Sequence, residues 1–333
     1  SKVIGIAIKD RGGILPAGHS ADAAYWYDGR SGNWITSTYY MNDLPQWVKS
    51  FNDKKHVDAF YAKGWNTMYP INSYVQSTKD ENDYEGKPFG AEQKGFPYDL
   101  KRFVGKNYGT VSSTPHGNTL TMMLAKEAIT NEELGKDAVT DFLAVSFSSP
   151  DYIGHAFGPN SIEAEDGFLR LDKDLGELFD YLDRTVGKGQ YVSFLTADHG
   201  VAHVPGFSTE HKLPGGAVDD SKMVSDLNKQ LKAAYGADNL VLSAYNYQIT
   251  INQHVIDSVK FDRSAIVQTV MNYARAIKGV DRVFEMNELN LAADELTKAY
   301  MGAEEKIFAK EDPKYLSFLT QYSPELVKSS TLL

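Results

Sequence analysis

Apolar residues fall into short continuous runs and into helical spacing in turn, which predicts strands alternating with helices. Residues 2–8 and 141–148 are apolar and partly β-branched, as is typical of buried strands. Residues 119–130 and 161–185 carry apolar side chains at intervals of three and four, which predicts helices. A third apolar run, 191–196, follows a glycine-containing turn. This strand, helix and strand pattern predicts a right-handed parallel crossover.

The segments around this core have a different character. Residues 21–109 are rich in Tyr, Trp, Asn, Asp and Gly and show weak periodicity, apart from a short helix predicted at 44–52. Long irregular segments in compact domains often act as lids, so we interpret this stretch as a cap-like insertion. Helices are predicted at 220–235 and 263–278, with a strand pair near 239–251 between them.

The expected organisation therefore has three parts. They are an α/β core formed by residues 1–20 and 110–205, the cap insertion 21–109, and a second insertion or truncated C-terminal α+β part of the core, 206–333.

Composition narrows the class of protein. The 333 residues include 34 Lys and Arg against 44 Asp and Glu, a formal net charge of −10. With 42% hydrophobic and 23% charged residues, the chain is globular in type. The acidic balance argues against binding of a nucleic-acid polymer, which depends on clustered Lys and Arg. It permits a small phosphorylated substrate, because a metal ion reverses the charge of a pocket. No stretch approaches the roughly 18 apolar residues of a membrane span.

Cysteine is absent, which excludes disulfides, thiolate metal sites and cysteine nucleophiles. The first residue is Ser1, and no signal-peptide pattern follows it. Because the chain opens directly on a predicted core strand, we expect a processed protein or a fragment.

Three polar clusters lie at predicted strand ends: Lys9 with Arg11, Asp151 with His155, and Asp198 with His199. Taken singly, they are ordinary features, since loop charges, turns and helix caps use the same residue types. Ligands of open α/β sheets, however, bind beyond the carboxyl ends of the strands, where these clusters fall together.

Together the three clusters contain the residue types of a metal-dependent phosphoryl-transfer site. Asp and His are suitable ligands for zinc or a similar divalent ion, and two such pairs supply two ligands to each of two metals. Two metal ions about 3.5–4 Å apart clamp the attacking and leaving oxygens in phosphoryl transfer. Lys9 and Arg11, as alternate residues leaving a strand, are expected to point the same way and to bind phosphate oxygens.

These motifs resemble the alkaline phosphatase superfamily. The resemblance is carried by residues 196–200 (TADHG) and 149–158 (SPDYIGHAFG). The opening at 8–12 (IKDRG) and the Trp/Tyr-rich insertion are closer to the bacterial phosphate-irrepressible branch, which is related to the nucleotide pyrophosphatase/phosphodiesterases. The resemblance covers most of the chain and implies a mostly parallel α/β core sheet flanked by helices, with cap insertions.

The resemblance also implies roles for individual residues. Asp151 and His155 match the ligands of one zinc ion, and Asp198 and His199 match ligands of the other. Lys9 and Arg11 match the pair that contacts the non-bridging oxygens of a phosphate monoester. A Thr or Ser alkoxide is then expected to form a covalent phospho-enzyme, in a protein exported to the periplasm or the medium.

The chain departs from the family at three positions. The family's nucleophile and one metal-binding Asp precede the Lys-x-Arg strand, and a third zinc ligand is a His near the C-terminus. Here no histidine follows His254, which lies in a strand-like stretch. We therefore expect an internal fragment that is inactive alone and binds metal weakly or not at all. In a complete enzyme, Ser148, Ser149 or Thr196 would have to replace the nucleophile.

The predicted function is that of a zinc-dependent phosphate monoester hydrolase. Two alternatives remain open at this point: a phosphodiesterase or nucleotide pyrophosphatase with the same metal site, and a degenerate, non-catalytic binding domain. Fold-level analogy does not separate them.

Overall fold

The computed structural model describes residues 1–245, 248–285 and 315–320, the last of these by backbone alone. The chain divides into two compact units, Ser1–Val204 and Pro205–Leu333, and each unit has its own hydrophobic core.

The first unit is built on a four-stranded sheet. Its elements in chain order are β1 (Val3–Ala7), α1 (Asp10–Ala17), β2 (Ala23–Asp28), β3 (Asn33–Ile35), α2 (Gln46–Asp53), α3 (His56–Lys63), α4 (His116–Asn131), β4 (Phe142–Ser146), α5 (Ser149–Phe157) and α6 (Ile162–Leu182). The order across the sheet is β3-β2-β1-β4. β1 is parallel to β2 and to β4, and β3 runs antiparallel to β2. The predicted mostly parallel α/β fold is confirmed.

The register of β1 and β4 decides where the two following helices begin. Ala7 pairs with Ser146, so the two parallel strands end side by side. Because α1 and α5 follow these strands after two residues each, both helices start at the same edge of the sheet. The residues at those two starts include Lys9 and Asp151.

α1 and α4 pack against opposite faces of the sheet. A Cβ atom placed on Gly5 of β1 would lie 1.9 Å from the carbonyl oxygen of Gly13 in α1, so only glycine permits this approach. Ile8 lies three residues further on, and the alternation of an extended chain turns it to the other face. There its Cδ1 atom would lie 2.8 Å from a Cβ atom placed on Gly117 of α4.

α1 occupies residues for which the sequence predicts no helix. Gly12, Gly13 and Pro16 all disfavour a helix interior, which is why the periodicity gave no sign of one. A Cβ atom on Gly12 would lie 3.1 Å from the hydroxyl oxygen of Ser146 in β4. The glycines therefore allow the helix to lie close on the sheet.

The predicted strand at 191–196 does not form. Val192, Phe194 and Leu195 are 92%, 78% and 78% exposed, and residues 191–197 have no regular structure. Among the described residues, β4 is the edge strand of the sheet: it pairs with β1 on one side, and residues 191–196 do not pair with its other side. The expected crossover through α6 is therefore wrong, and the parallel crossover that forms is β1–α1–β2.

β2 and β3 fall within residues 21–109, the expected cap, yet both are strands of the core sheet. The irregular part of that segment accordingly starts after β3. Its aromatic side chains, such as Trp65 and Tyr98, belong to the same buried cluster as Ile4 and Ile6 of β1. They do not form a separate small core.

The second unit is a four-stranded antiparallel sheet with helices. Its elements are α7 (Pro205–Glu210), α8 (Asp220–Tyr235), β5 (Val241–Tyr245), β6 (Gln248–Ile251), α9 (Gln253–Val259), α10 (Arg263–Arg275), β7 (Val280–Glu285) and β8 (Tyr315–Thr320), and the strand order is β5-β6-β8-β7. The predicted helices and strand pair of this region are confirmed. His254 lies in the first turn of α9 and not in a strand.

α6 is the longest helix of the described residues, with 21 residues, and it is amphipathic. Leu178 is buried, whereas Glu177 and Asp180 are exposed. In the part of the chain that the structure describes, no helix combines the length and the apolar character of a membrane span.

Replacing Gly5 by alanine should separate α1 from β1. The added methyl group has no room against the Gly13 carbonyl, so we expect Gly5→Ala to lower the free energy of unfolding by about 1–3 kcal/mol or more. Urea unfolding followed by tryptophan fluorescence reports the unfolding of the first unit, because all four tryptophans lie in it: Trp26, Trp34, Trp47 and Trp65.

The matched control is Gly176→Ala in α6, where an added Cβ would meet no atom within 4 Å. Alanine has the higher helix propensity, so this variant should be unchanged or slightly more stable. Equal unfolding midpoints for the two variants would contradict the account of the α1–β1 contact.

Candidate active site

Lys9 and Asp151 meet at the edge where β1 and β4 end. Lys9 is the residue before α1, and Asp151 lies in the first turn of α5. The Lys9 ammonium group donates a hydrogen bond to Asp151 Oδ2, and the two side chains are only 20% and 21% exposed. The ammonium group also lies 4.8 Å from the centre of the Tyr152 ring.

Two imidazole groups face the other oxygen of Asp151. His155 Nε2 lies 3.3 Å from Asp151 Oδ1, and His199 Nε2 lies 3.6 Å from the same atom. Asp151 and His155 share one face of α5 because they are four residues apart. Neither contact is a hydrogen bond, so this buried oxygen has no partner among the described residues.

The surroundings of Asp151 favour its ionised form. Burial acts against ionisation, but the hydrogen bond and charge of Lys9, with smaller contributions from His155 and His199, outweigh it and lower the pKa of this carboxyl. Its position in the first turn of α5 adds the favourable end of the helix dipole. Asp151 is therefore an available anionic ligand at neutral pH.

His199 reaches the site although its segment is not a strand. The segment after Asp198 runs alongside α5, with Val201 close to Gly154 and Val204 close to Gly158. A Cβ atom added to these glycines would lie 3.8 Å from the Val201 side chain and 2.9 Å from the Val204 side chain. These contacts hold the segment against α5 and bring His199 to Asp151.

Asp198 and Arg11 lie at the periphery of this group. The Asp198 side chain is 89% exposed, and its Oδ2 atom lies 3.6 Å from His199 Nε2. Arg11 is exposed in the first turn of α1, whereas Lys9 is largely buried. The strand alternation expected to point both cations the same way does not apply, because a helix starts at Asp10.

Of the possible substitute nucleophiles, the two serines are inaccessible. Ser148 is 5% exposed and Ser149 is fully buried, so neither hydroxyl can reach a phosphorus atom from solvent. The Thr196 hydroxyl is exposed and donates a 3.3 Å hydrogen bond to the Ala197 carbonyl.

Sequence reasoning missed two residues that shape the site. Asn118 of α4, only 1% exposed, accepts a 3.2 Å hydrogen bond from the backbone N–H of Ser149 and so fixes the start of α5. Tyr152 supplies the ring beside the Lys9 ammonium group. Tyr152 could have been suspected from its place next to Asp151, but Asn118 is 31 residues from its partner and carries no sequence signal.

His116, in the first turn of α4, makes its contacts within the first unit. Its ring stacks on Phe60 with a centroid distance of 5.0 Å, and its Nε2 atom lies 2.9 Å from the Gly64 carbonyl oxygen. Burial lowers the pKa of this imidazole and keeps it neutral.

The donor atoms at this edge suit a divalent metal in chemical type. One carboxylate oxygen without a partner faces two imidazole nitrogens, and a second carboxylate lies beyond them. They are not arranged around an ion: among the described residues, no three His, Asp or Glu side chains gather in a metal-binding geometry. Lys9 takes up the remaining oxygen of Asp151 instead.

The irregular cap segment braces the end of α5. The backbone N–H of Gly86 donates a 2.6 Å hydrogen bond to the carbonyl of Ala156, next to His155. Beside this contact lie two buried carboxyl groups, Glu85 (5% exposed) and Glu163 of α6 (0% exposed), each with one oxygen that has no hydrogen-bond partner among the described residues. Tyr98 donates a hydrogen bond to the other oxygen of Glu163.

A cavity of about 310 Å³ lies elsewhere in the first unit. None of the candidate site residues lines it; its walls are Phe51, Lys54, His56, Met123, Lys126, Glu127, Glu177 and Tyr181. Lys54 and Lys126 are both paired with glutamates there, so the cavity offers no free charge for a phosphate.

Comparison with known families agrees with the motifs. The family model for type I phosphodiesterase / nucleotide pyrophosphatase matches residues 7–312 of this chain. The chain belongs to this family. The match includes Lys9, Arg11 and both Asp/His pairs.

Curated relatives place the chain within the alkaline phosphatase superfamily, in the branch of PhoV and PafA. Alkaline phosphatase PhoV of Synechococcus elongatus is 46% identical over 289 residues, covering 84% of this chain and 50% of PhoV. PafA of Elizabethkingia meningoseptica is 44% identical over 291 residues, 87% of this chain and 53% of PafA. A Myroides odoratus protein named calcium-transporting ATPase is 52% identical over 86% of this chain and 53% of that protein.

The solved structure of PafA superposes with a TM-score of 0.86 at 39% identity, covering 96% of this chain and 61% of PafA. The fold and superfamily predicted from the motifs are therefore confirmed. The chain spans about half the length of the curated relatives that it matches.

The buried cap carboxyls predict a pH-dependent stability. Burial, and then the charge of Glu163, raise the pKa of Glu85 from 4.5 to about 8, and burial raises the pKa of Glu163 to about 7. The folded chain thus keeps protons that the unfolded chain loses above pH 4.5. The free energy of unfolding should fall as the pH rises from about 5 to 8 and level off above, by up to about 1.4 kcal/mol per unit of pKa difference.

Glu85→Gln removes one titrating group and keeps the shape of the side chain. The free energy of unfolding of this variant, measured by urea unfolding at pH 5–9, should therefore fall less steeply with pH than that of wild type. Glu81→Gln, an exposed glutamate in the same segment, should leave the slope unchanged. If wild type and Glu85→Gln lose stability equally, the buried carboxyl of Glu85 does not hold a proton.

Proposed function

We propose that this chain is part of a metal-dependent phosphate monoester hydrolase of the alkaline phosphatase type, acting on a small phosphorylated substrate, and that the chain alone is inactive. The proposal rests on one observation above all. Lys9, Asp151, His155 and His199 come from separate parts of the sequence and meet at one edge of the sheet, in a chain of this superfamily. By family resemblance, we also propose an exported protein, periplasmic or secreted.

Two divalent ions, of which zinc is our candidate, would be held by Asp151 with His155 and by Asp198 with His199. When bound, such ions stabilise charge on phosphoryl oxygens and make an oxygen nucleophile available near neutral pH. Imidazole nitrogens and carboxylate oxygens are the ligands zinc uses in the absence of cysteine. Asn118 orients α5, and through it Asp151 and His155, by holding the Ser149 N–H.

Lys9 and Arg11 are proposed to bind the non-bridging oxygens of the substrate. A phosphate monoester is a dianion at alkaline pH, whereas a diester carries one negative charge. Arginine offers a bidentate fork for two phosphate oxygens, and lysine offers a point charge. Both cations therefore favour the monoester.

The same proposal includes a covalent phospho-enzyme intermediate. Family resemblance suggests that a Thr or Ser alkoxide attacks phosphorus and that the phospho-enzyme is then hydrolysed. Ser148 and Ser149 are too deeply buried for that role. We infer that the chain alone binds metal weakly, with two candidate ligands for each ion, and turns over no substrate.

The second candidate is a phosphodiesterase or nucleotide pyrophosphatase, and the description of the matching family favours it. Both activities fit the same metal ligands, so the two candidates differ in what Lys9 and Arg11 do. A degenerate binding domain would keep the metal ligands without turnover, and assays of the complete natural protein separate it from both enzymes.

A zinc titration of this chain tests the metal site. Isothermal calorimetry should show weak zinc binding that is lost in the Asp198→Ala/His199→Ala double variant, since this change removes a carboxylate and an imidazole from the site. His211→Ala, an exposed histidine of the second unit, is the control and should bind as wild type. Binding that persists unchanged in the double variant would place zinc elsewhere and contradict the proposed ligands.

Substrate preference tests the role of the two cations. In the complete natural protein, Lys9→Ala/Arg11→Ala should lower kcat/KM for a phosphate monoester at least about tenfold more than for a diester, because the extra charge of the dianion loses its partners. Hydrolysis of p-nitrophenyl phosphate and bis-p-nitrophenyl phosphate gives both values. Equal losses would favour the phosphodiesterase candidate.

A further inference from the structure

Lys9 has a position that the proposed function does not explain by itself. A side chain that waits for substrate is expected to point into open space, yet the Lys9 ammonium group is fixed on both sides. Asp151 Oδ2 accepts its hydrogen bond, and the Tyr152 ring lies 4.8 Å away. Both partners are in α5, and the Lys9 side chain is 20% exposed.

Asp151 is consequently divided between two roles. Its Oδ2 atom is taken by Lys9, and its Oδ1 atom faces His155 and His199 without a hydrogen bond. Lys9 is the cation in direct contact with this carboxylate. The ammonium group thus supplies the positive charge that balances the ligand cluster.

A divalent ion bound at Asp151 would lie close to the Lys9 ammonium group, and because their like charges repel, each weakens the binding of the other. The ligands reflect this: His155 and His199 lie around Asp151 itself and leave no three-ligand cluster among the residues that the structure describes. Moving the ammonium group away would free Oδ2 and let the carboxylate turn towards the two imidazoles.

We propose that Lys9 acts as an internal counter-charge for Asp151 and competes with the metal ion for this carboxylate. Metal binding displaces the ammonium group from Asp151 and so releases Lys9 towards the phosphate oxygens. The substrate-binding cation becomes available only in molecules that have taken up the ion. This inference rests on the proposed metal site at Asp151 and adds an order of events to it.

The chain offers a matched control for this competition. Arg11 is two residues from Lys9 and carries the same charge, but its side chain is exposed and makes no ion pair in the described part of the chain. Lys9→Met and Arg11→Met therefore remove the same charge from the neighbourhood. Methionine keeps an apolar stem of similar length against Tyr152, and the thermal midpoints of both variants check that they are folded.

The test is a zinc titration of this chain and the two variants by isothermal calorimetry. Lys9→Met should bind zinc about fivefold to tenfold more tightly than wild type, which is the scale of one ion pair. Arg11→Met should change the affinity less than about twofold. An affinity of Lys9→Met equal to or weaker than wild type, or equal gains in both variants, would overturn the competition.

A second measurement follows Lys9 directly. Amine-specific acylation, read by mass spectrometry, should label Lys9 faster once zinc is bound, while the exposed Lys106 is labelled at the same rate with and without zinc. Unchanged or slower labelling of Lys9 in the zinc-bound chain would overturn the release of its ammonium group.

These outcomes separate the inference from the proposed function. Zinc binding that depends on His199 but is unaffected by Lys9→Met leaves the metal site standing and removes the competition. If Lys9→Met binds zinc and wild type does not, the result supports both the metal site and the competition. If neither wild type nor Lys9→Met binds zinc, the metal site in this chain is wrong, and the competition fails with it.

Discussion

The parallel pairing of β1 with β4 is the constraint on which the candidate site depends. Because Ala7 and Ser146 are paired at the ends of these strands, the helices that follow start at the same edge. Lys9 and Asp151, separated by 142 residues in sequence, are brought into contact by this register. The close approach of α1 to Gly5 and the hydrogen bond from Ser149 to Asn118 then fix the two helix starts.

Two carboxylates of the first unit, Asp166 and Asp151, differ in how fully their oxygens are hydrogen-bonded. Asp166 is fully buried and accepts hydrogen bonds from Trp65 Nε1 at 2.8 Å, Tyr74 at 2.6 Å and Arg170 Nε at 2.6 Å, so it holds the cap to α6 as part of the architecture. Asp151 has one oxygen with no partner beside two imidazoles. An unsatisfied buried acceptor is costly, and a bound cation would remove that cost.

The sequence predicted elements well where local pattern decides the structure. α4, α6, α8 and α10 follow from apolar spacing, and the motifs predicted the superfamily. The failures have non-local causes: α1 is hidden by glycines that serve its contact with β1, and residues 191–196 have strand character but pair with no strand among the described residues. A pattern shows a segment's preference and does not show whether the segment joins a sheet.

The candidate site was likewise predicted in part. Asp151, His155, His199 and Lys9 were predicted to be neighbours and lie together. For Lys9, Asp151 and His155 the predicted reason holds, since β1 and β4 end at one edge, whereas packing of residues 201–204 on α5 brings His199 there. Asp198 and Arg11 were predicted with them, and the structure leaves both exposed at the margin. The direct Lys9–Asp151 contact could not have been foreseen, since in the motifs the two residues serve different ligands.

The most direct test of this account is a crystal of the chain soaked in zinc and measured at the zinc absorption edge. The account predicts an anomalous peak within bonding distance of Asp151 and His155, with the Lys9 ammonium group moved off the Asp151 carboxylate. A zinc peak remote from these residues, or a zinc-bound Asp151 that still holds Lys9 in its present position, would contradict it.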